Sequence, residues 1–132
     1  MINRTEYEKS ICLRLAQAVR APFREVSLPH WCPKMSECHS NVDRCVAAIP
    51  GYVAVRGWMT YADLTIAIGL TAHSVVRGAD GELFDITPLG NERDRLGMRF
   101  VPHEGDEQLF RSMMGINIFI ECATRGRRKG PP

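Results

Sequence analysis

Long hydrophobic runs are absent from this 132-residue sequence. No stretch of 18 or more apolar residues occurs, which argues against a transmembrane helix and a membrane partner. The segment Met1–Glu6 lacks the apolar core of a signal peptide, so we expect a cytoplasmic protein. The glycines form no phosphate-binding pattern, which leaves nucleotide chemistry without support. The sequence points to no cofactor, and it does not indicate an oligomeric state.

Charge is distributed unevenly along the chain. Four of the 17 basic residues lie in residues 125–132, which leaves 13 basic against 15 acidic residues, a net charge of −2, in the remainder. We predict one globular domain over residues 1–124, followed by a basic, disordered tail over 125–132. A solubilising role is the simpler interpretation of this tail, and contact with nucleic acid is the alternative.

The cysteine count is odd. The five cysteines are Cys12, Cys32, Cys38, Cys45 and Cys122. Without a secretory signal, this number argues against a disulfide framework. Reduced thiols, metal ligands or a nucleophile therefore remain as interpretations.

Predicted helices come before most of the predicted strands. Apolar spacing predicts helices over residues 6–20 and 36–49 and a short helix over 106–114, with Ser36 as the N-cap of the second. Strands are expected over 52–59, 64–70, 98–101 and 116–120, with a hairpin over 72–87 and a surface loop over 88–97. This order indicates an α+β fold, in which the helix that carries Cys38 packs on one face of an antiparallel sheet.

A β-hairpin is predicted around Asp80-Gly81, because this pair tolerates the positive φ of a tight turn. A three-residue loop over 79–81 would pair residue 75 with residue 85. His73 and Asp85 would then be diagonal neighbours on one face of the sheet. A loop of two or four residues would place them on opposite faces.

Three side chains form a candidate catalytic set in chain order. Cys38 lies in the predicted first turn of a helix, where unpaired N–H groups and the helix dipole lower a thiol pKa. His73, with an ordinary pKa near 6.5, suits proton transfer at neutral pH. Asp85 is placed to orient the imidazole. These types in this order are typical of nucleophilic acyl transfer.

These residues resemble the papain-like cysteine hydrolases, in particular the transglutaminase-like core, over residues 36–88. The chain is also similar to small bacterial and phage-type proteins that share Cys-His-x-Asn-Val, present here at 38–42, and Asp-Gly-x-Leu-x-Asp-x-Thr-Pro, present here at 80–88. The resemblance implies a cysteine-dependent amidase, peptidase, deamidase or transglutaminase. The roles of nucleophile, base and orienting carboxylate then fall to Cys38, His73 and Asp85, and the substrate is a peptide, a protein or a small amide.

Supporting roles are predicted for five further residues. The candidates for substrate contact or support of the site are His39, Asn41, Trp31, Trp58 and Thr87. On a helix His39 points about 100° away from Cys38, which argues against its being the base. The amide of Asn41 is expected to bond to a nearby loop backbone. The second oxyanion donor stays open among His30, Ser36 and the backbone.

Two other interpretations remain at this point. Cys32, Cys38, His39 and Cys45 are all capable zinc ligands, although their spacing is unlike that of common zinc motifs. A noncatalytic binding or regulatory module of bacterial or phage origin could also use the same fold.

Overall fold

The computed structural model describes residues 3–63 and 67–121. The helices are α1 (Arg4–Arg14), α2 (Cys38–Ala48) and α3 (Glu107–Met113), and the strands are β1 (Val53–Asp63), β2 (Ile68–Arg77), β3 (Leu83–Phe84), β4 (Phe100–Pro102) and β5 (Ile118–Ile120). This mixture of helices and antiparallel strands confirms the predicted α+β class. The helices in the described ranges include none long and apolar enough to cross a membrane. The predicted tail over 125–132 and Cys122 lie outside these ranges.

The helix boundaries differ from the predictions, and a polar residue outside the apolar pattern sets the start of α1. The N-cap of α1 is Asn3, whose side chain accepts a hydrogen bond from the backbone N–H of Glu6 at 2.8 Å. Beyond α1 the chain tightens into a 3₁₀ turn over Leu15–Gln17. The N-cap of α2 is Glu37 rather than the predicted Ser36, which adopts a left-handed φ of 64°.

One long hairpin dominates the sheet, whose strand order is β3-β2-β1-β4. Strands β1 and β2 pair antiparallel from Val53 opposite Arg77 to Asp63 opposite Ile68. The two strand segments predicted over 64–70 and from residue 72 are therefore one strand from residue 68 onward, and residues 64–66 lie outside the described part. The short helix predicted over 106–114 is confirmed by α3.

The edge of β2 that faces away from β1 is paired at both ends but not in the middle. β5 pairs with Ile68–Leu70 of β2, and β3 pairs with Val76–Arg77. In between, over residues 71–75, neither β3 nor β5 covers this edge. A functional cleft can open here because side chains from both faces of the sheet reach the gap.

The two faces of the sheet carry different cores. On one face, the α2 residues Val42 and Cys45 pack against Val76, Phe84 and Ile86. The same face continues through Trp58, Leu70 and Ala72, which pack with Tyr7 and Ile11 of α1 and with Phe110 and Met113 of α3. The opposite face carries a smaller cluster of Ala21, Met59, Val75 and Phe100. The large helix-covered core therefore fixes α2, and with it Cys38, against the sheet.

The turn between β2 and β3 matches the three-residue prediction. The observed pairs, Val76 with Phe84 and Arg77 with Leu83, set residue 75 opposite residue 85. Gly81, at a φ of 90°, allows the reversal. His73 and Asp85 therefore share one face of the sheet, as the odd loop length required.

The described cysteines are not all reduced, contrary to the expectation drawn from their number. Cys12 is disulfide-bonded, whereas Cys32, Cys38 and Cys45 are free thiols. With an odd number of cysteines, at least one must stay unpaired, but a single disulfide bond is still possible. The thiol at the start of α2 stays available for chemistry.

Candidate active site

A cleft of about 440 Å³ opens at the gap in the sheet edge. Its lining includes Cys38, His39, His73 and Asp85, so the three residues of the predicted catalytic set lie in one cavity. The remaining wall is largely apolar, with contributions from Met35, Met59, Ala72, Pro88, Leu89 and Met98. The cleft therefore joins polar chemistry on one side to an adaptable apolar surface on the other.

Cys38 is held at the first position of α2 by the loop before it. The buried side-chain amide of Asn41 donates to the carbonyl of Lys34 at 2.8 Å and accepts from its N–H at 3.0 Å, which confirms the predicted bond to a loop backbone. The same amide donates to Oγ1 of Thr87 at 2.9 Å. Asn41 thus ties the loop before Cys38 to the segment that carries Asp85.

Asp85 accepts a hydrogen bond from His73 across the hairpin. Nε2 of His73 lies 2.7 Å from Oδ2 of Asp85, and the carboxylate is 1% exposed. Its other oxygen accepts from the backbone N–H of Thr87 at 3.1 Å. Since Asp85 occupies Nε2, Nδ1 is the ring nitrogen left for Cys38.

Arg95 completes this arrangement and was missed in the sequence, where residues 88–97 were predicted to be a surface loop. The segment Glu92–Gly97 is instead a 3₁₀ helix that buries Arg95. Its guanidinium donates to Oδ2 of Asp85 at 2.6 Å, to the carbonyl of Thr87 and to the carboxylate of Glu92. The i,i+3 spacing of Glu92 and Arg95 was the one local signal, and it is too common on surfaces to identify a buried cation.

The pKa values of Cys38 and His73 move in opposite directions. Burial raises the pKa of Cys38, but hydrogen bonds with His39 and His73 outweigh it and lower that pKa to about 6. Burial lowers the pKa of His73, but the hydrogen bonds and negative charges of Asp85 and Cys38 raise it to about 9. Between these values the pair is a thiolate and an imidazolium, the form suited to nucleophilic attack.

His39, which was predicted from the sequence to contact substrate or support the site, lies in the cleft. Its ring lines the cleft beside Cys38, and its Nδ1 is 2.6 Å from Oγ of Ser74. That hydroxyl accepts from Arg56 at 2.9 Å. The 100° offset on α2 places the ring against the sheet, where a polar partner holds it, rather than in solvent.

The two tryptophans do not line the cleft, contrary to their predicted supporting role. Trp58 is fully buried and donates to the hydroxyl of Tyr7 at 2.7 Å, because strand alternation turns it to the opposite face from Met59. Trp31 packs beneath the guanidinium of Arg44, with 5.2 Å to the ring centroid.

Two of the candidate oxyanion donors are also separated by the fold. Ser36 lines the cleft, whereas His30 is exposed and lies outside its lining. Both residues adopt a left-handed φ, of 64° and 61° respectively. The loop before α2 therefore brings Ser36 to the cleft and leaves His30 outside it.

The four candidate zinc ligands do not form a binding site. Cys32 is exposed, Cys38 lines the cleft and Cys45 is buried in the core beneath α2. Across residues 3–63 and 67–121, no three His, Cys, Asp or Glu side chains gather as a metal would require. Cys32 is separated from Cys38 by the loop before α2, and Cys38 is separated from Cys45 by two turns of α2.

Comparison of the chain with protein-family models, with curated proteins and with solved structures finds no match.

Proposed function

We propose that this protein is a cysteine-dependent acyl-transfer enzyme with a papain-like, transglutaminase-like core. Cys38 is the nucleophile, His73 the general acid and base, and Asp85 the orienting carboxylate. The observation that carries the proposal is the 2.7 Å contact between His73 and Asp85 in the cleft that also holds Cys38 at a pKa of about 6. A surface thiol lacks both the paired imidazole and the cavity.

The first half of the reaction forms a thioester. The thiolate of Cys38 attacks the acyl carbon, and the carbonyl electron pair moves to oxygen. As the carbon–nitrogen bond breaks, the imidazolium of His73 gives its proton to the leaving amine. Asp85 keeps the ring oriented and stabilises its charge throughout.

The second half returns the enzyme to its starting state. Neutral His73 takes a proton from water or from an acceptor amine, which attacks the thioester carbon. The carbon–sulfur bond then breaks, and Cys38 leaves as a thiolate beside a protonated His73. Hydrolysis and transfer share these steps and differ in the nucleophile, so the proposal covers both.

The cleft wall favours an uncharged substrate side chain. Met35, Met59 and Met98 supply flexible apolar surface, and Pro88 and Leu89 add to it. Among the described lining residues, ionisable groups are confined to Cys38, His39, His73 and Asp85. We therefore expect amides and thioesters with aliphatic acyl groups to react at least about tenfold faster than those with charged ones.

Alkylation by iodoacetamide at pH 6 tests the proposal, with sites of labelling located by mass spectrometry. Cys38 should react far faster than Cys32, an exposed free thiol that serves as an internal reference. Cys45 should stay unlabelled, because it is buried and burial raises its pKa. The His73→Ala variant should lose the fast phase while retaining the reaction of Cys32.

The opposite outcome favours the noncatalytic module. If Cys38 reacts no faster than Cys32, and the rate is unchanged in His73→Ala, the thiol and imidazole are not an activated pair. A turnover assay with aliphatic thioesters then shows whether the protein is an enzyme or a noncatalytic binding module, with Cys38→Ser as the inactive reference.

A further inference from the structure

His39 lines the same cleft as Cys38, but its polar partner is uncharged. Its Nδ1 lies 2.6 Å from Oγ of Ser74, and its ring meets Phe110 edge-on with centroids 5.7 Å apart. These contacts hold the imidazole by its Nδ1 side. Because Ser74 occupies Nδ1, Nε2 is the ring nitrogen left for the hydrogen bond with Cys38.

Ser74 determines which nitrogen of His39 carries the proton. Its side chain is fully buried, and its Oγ accepts a 2.9 Å hydrogen bond from Nη1 of Arg56. A guanidinium can only donate, whereas a serine hydroxyl has one proton to give. In the part of the chain that the structure describes, the other hydrogen-bond contact of this hydroxyl is Nδ1 of His39, which can accept its proton. If His39 donated instead, a buried O–H would lose its hydrogen bond.

Arg56 is anchored firmly enough to keep this arrangement in place. Its guanidinium also donates to Asp43 at 2.6 Å and to Glu107 at 3.2 Å, and its side chain is 11% exposed. Three acceptors on three different elements thus share one cation. Ser74 therefore always meets a donor on one side and gives its proton to the other.

We propose that His39 is the side-chain oxyanion donor of this cleft, with a proton held on Nε2 while Nδ1 accepts from Ser74. This N–H bonds the sulfur of Cys38 before attack and the substrate oxygen afterwards, together with the free backbone N–H groups in the first turn of α2. The oxyanion role rests on the proposed function, whereas the tautomer does not. The proposal assigns the donor that the sequence left open among His30, Ser36 and the backbone.

The pKa of the thiol agrees with this role. Burial is the largest influence on Cys38 and raises its pKa, and the hydrogen bond with His39 is the first of the effects that reverse it. An N–H on Nε2 is sufficient for this hydrogen bond, and positive charge on His39 lowers the pKa of Cys38 further.

The tautomer is read directly by nitrogen NMR of the imidazole rings at neutral pH. We expect His39 to show a protonated Nε2 and an unprotonated Nδ1. The Ser74→Ala variant should lose this preference, whereas Ser40→Ala, at an exposed position of α2, should retain it. A proton on Nδ1 in the unmodified protein would overturn the proposal.

Kinetics on an aliphatic thioester test the oxyanion role. His39→Ala should lower kcat by about 100- to 1,000-fold with little change in KM, as expected for one oxyanion donor. His39→Gln should recover at least about tenfold of that loss, because its amide N–H can take the place of Nε2. His30→Ala, at an exposed histidine outside the cleft, serves as the control. An unchanged kcat in His39→Ala would sink the proposal.

Failure of the proposed function gives a different result. If no acyl substrate is turned over by the unmodified protein, alkylation of Cys38 at pH 6 still reports on His39. His39→Ala should then react about fivefold more slowly at pH 6, because loss of one hydrogen bond to a thiolate raises the thiol pKa from about 6 by about one unit. Equal rates would show that His39 does not donate to the sulfur.

Discussion

Two imidazoles face one sulfur, and the residue behind each of them differs. Behind His73 stands the carboxylate of Asp85, which is held in turn by the buried guanidinium of Arg95. Arg95 is itself paired with Glu92. The result is a histidine next to a fixed negative charge, with its pKa raised to about 9 once burial is outweighed.

Behind His39 stands the hydroxyl of Ser74, held by the guanidinium of Arg56. Arg56 is paired with Asp43 and Glu107. The arrangement is similar to that behind His73: an arginine hydrogen-bonds a short side chain, which in turn hydrogen-bonds an imidazole. Because the short side chain is a hydroxyl rather than a carboxylate, it orients the ring without adding a charge. In the proposed mechanism this difference separates His73, which carries the proton, from His39, which donates a hydrogen bond.

Asp85→Asn should break the first arrangement most severely. The amide cannot stabilise the imidazolium, so we expect turnover to fall by about 10⁴-fold. Arg95 loses its buried partner, which should lower the free energy of unfolding by about 3 kcal/mol. Thioester kinetics and urea denaturation measure the two effects. Asp80→Asn, the same change in the exposed turn, should alter neither by much, and a comparable loss there would contradict the assignment.

Arg95→Gln and Arg56→Gln compare the two arginines that hold Asp85 and Ser74 in place. Arg95→Gln leaves Asp85 held by His73 and a backbone N–H, and we expect a loss of rate of about 10- to 100-fold from misplacement of the ring. Arg56→Gln should leave the alkaline limit of activity, which His73 sets, unchanged while loosening His39. Rate against pH for both variants checks this. A shift of the alkaline limit in Arg56→Gln would show that the two supports are not independent.

The pH dependence of turnover sharpens the comparison. Activity should rise as Cys38 loses its proton near pH 6 and fall as His73 loses its proton near pH 9. His39→Ala should move the acidic limb upward, because the thiolate is less stabilised, and leave the alkaline limb in place. A profile that moved at both limbs would mean that the two histidines titrate as one unit.

The free energy of unfolding should respond least to pH, because the contributions of Cys38 and His73 oppose each other. The raised pKa of His73 stabilises the fold below about pH 6.5, and this contribution fades as pH rises toward 9. The lowered pKa of Cys38 does the reverse, stabilising the fold at high pH and losing its effect as pH falls toward 6. Between about pH 6.5 and 9, the fall in stability from His73 and the rise from Cys38 therefore cancel.

Cys38→Ser removes the contribution of the thiol to this pH dependence and leaves the part of the His73 contribution that Asp85 supports. The free energy of unfolding of this variant should fall by about 1–2 kcal/mol between pH 6.5 and 9, while that of the unmodified protein stays nearly flat. Denaturation at a series of pH values measures the difference. Cys32→Ser, at the exposed thiol, should behave like the unmodified protein, and an identical slope in both variants would remove the case for a thiolate and imidazolium pair.

Local patterns predicted a large part of the site. The Asp80-Gly81 turn defines the loop length, and that length alone places His73 and Asp85 on one face. The start of the second helix was predicted within two residues, which puts Cys38 in its first turn. These features depend on neighbours in sequence, through turn conformation and strand alternation, so they were accessible without a structure.

Residues that act across long sequence distances were not accessible in this way. Arg95 belongs to a charged run typical of a surface loop, and Arg56 and Ser74 have no pattern of their own within their strands. Trp58 was expected near the substrate and lies in the core. The role of each of these residues depends on its burial and on its partner in another element, and the local sequence predicts neither.

The sequence by itself therefore determined the α+β class, the hairpin register and the placement of a thiol at a helix start, because turn chemistry and residue periodicity act over a few positions. Only the tertiary structure decided that the edge of β2 is open between β3 and β5, and that Cys38 and two histidines meet there. It also decided that Asp85 stands behind one ring and Ser74 behind the other, since these contacts form between residues 12 to 35 positions apart. The chemistry of the cleft depends on that difference.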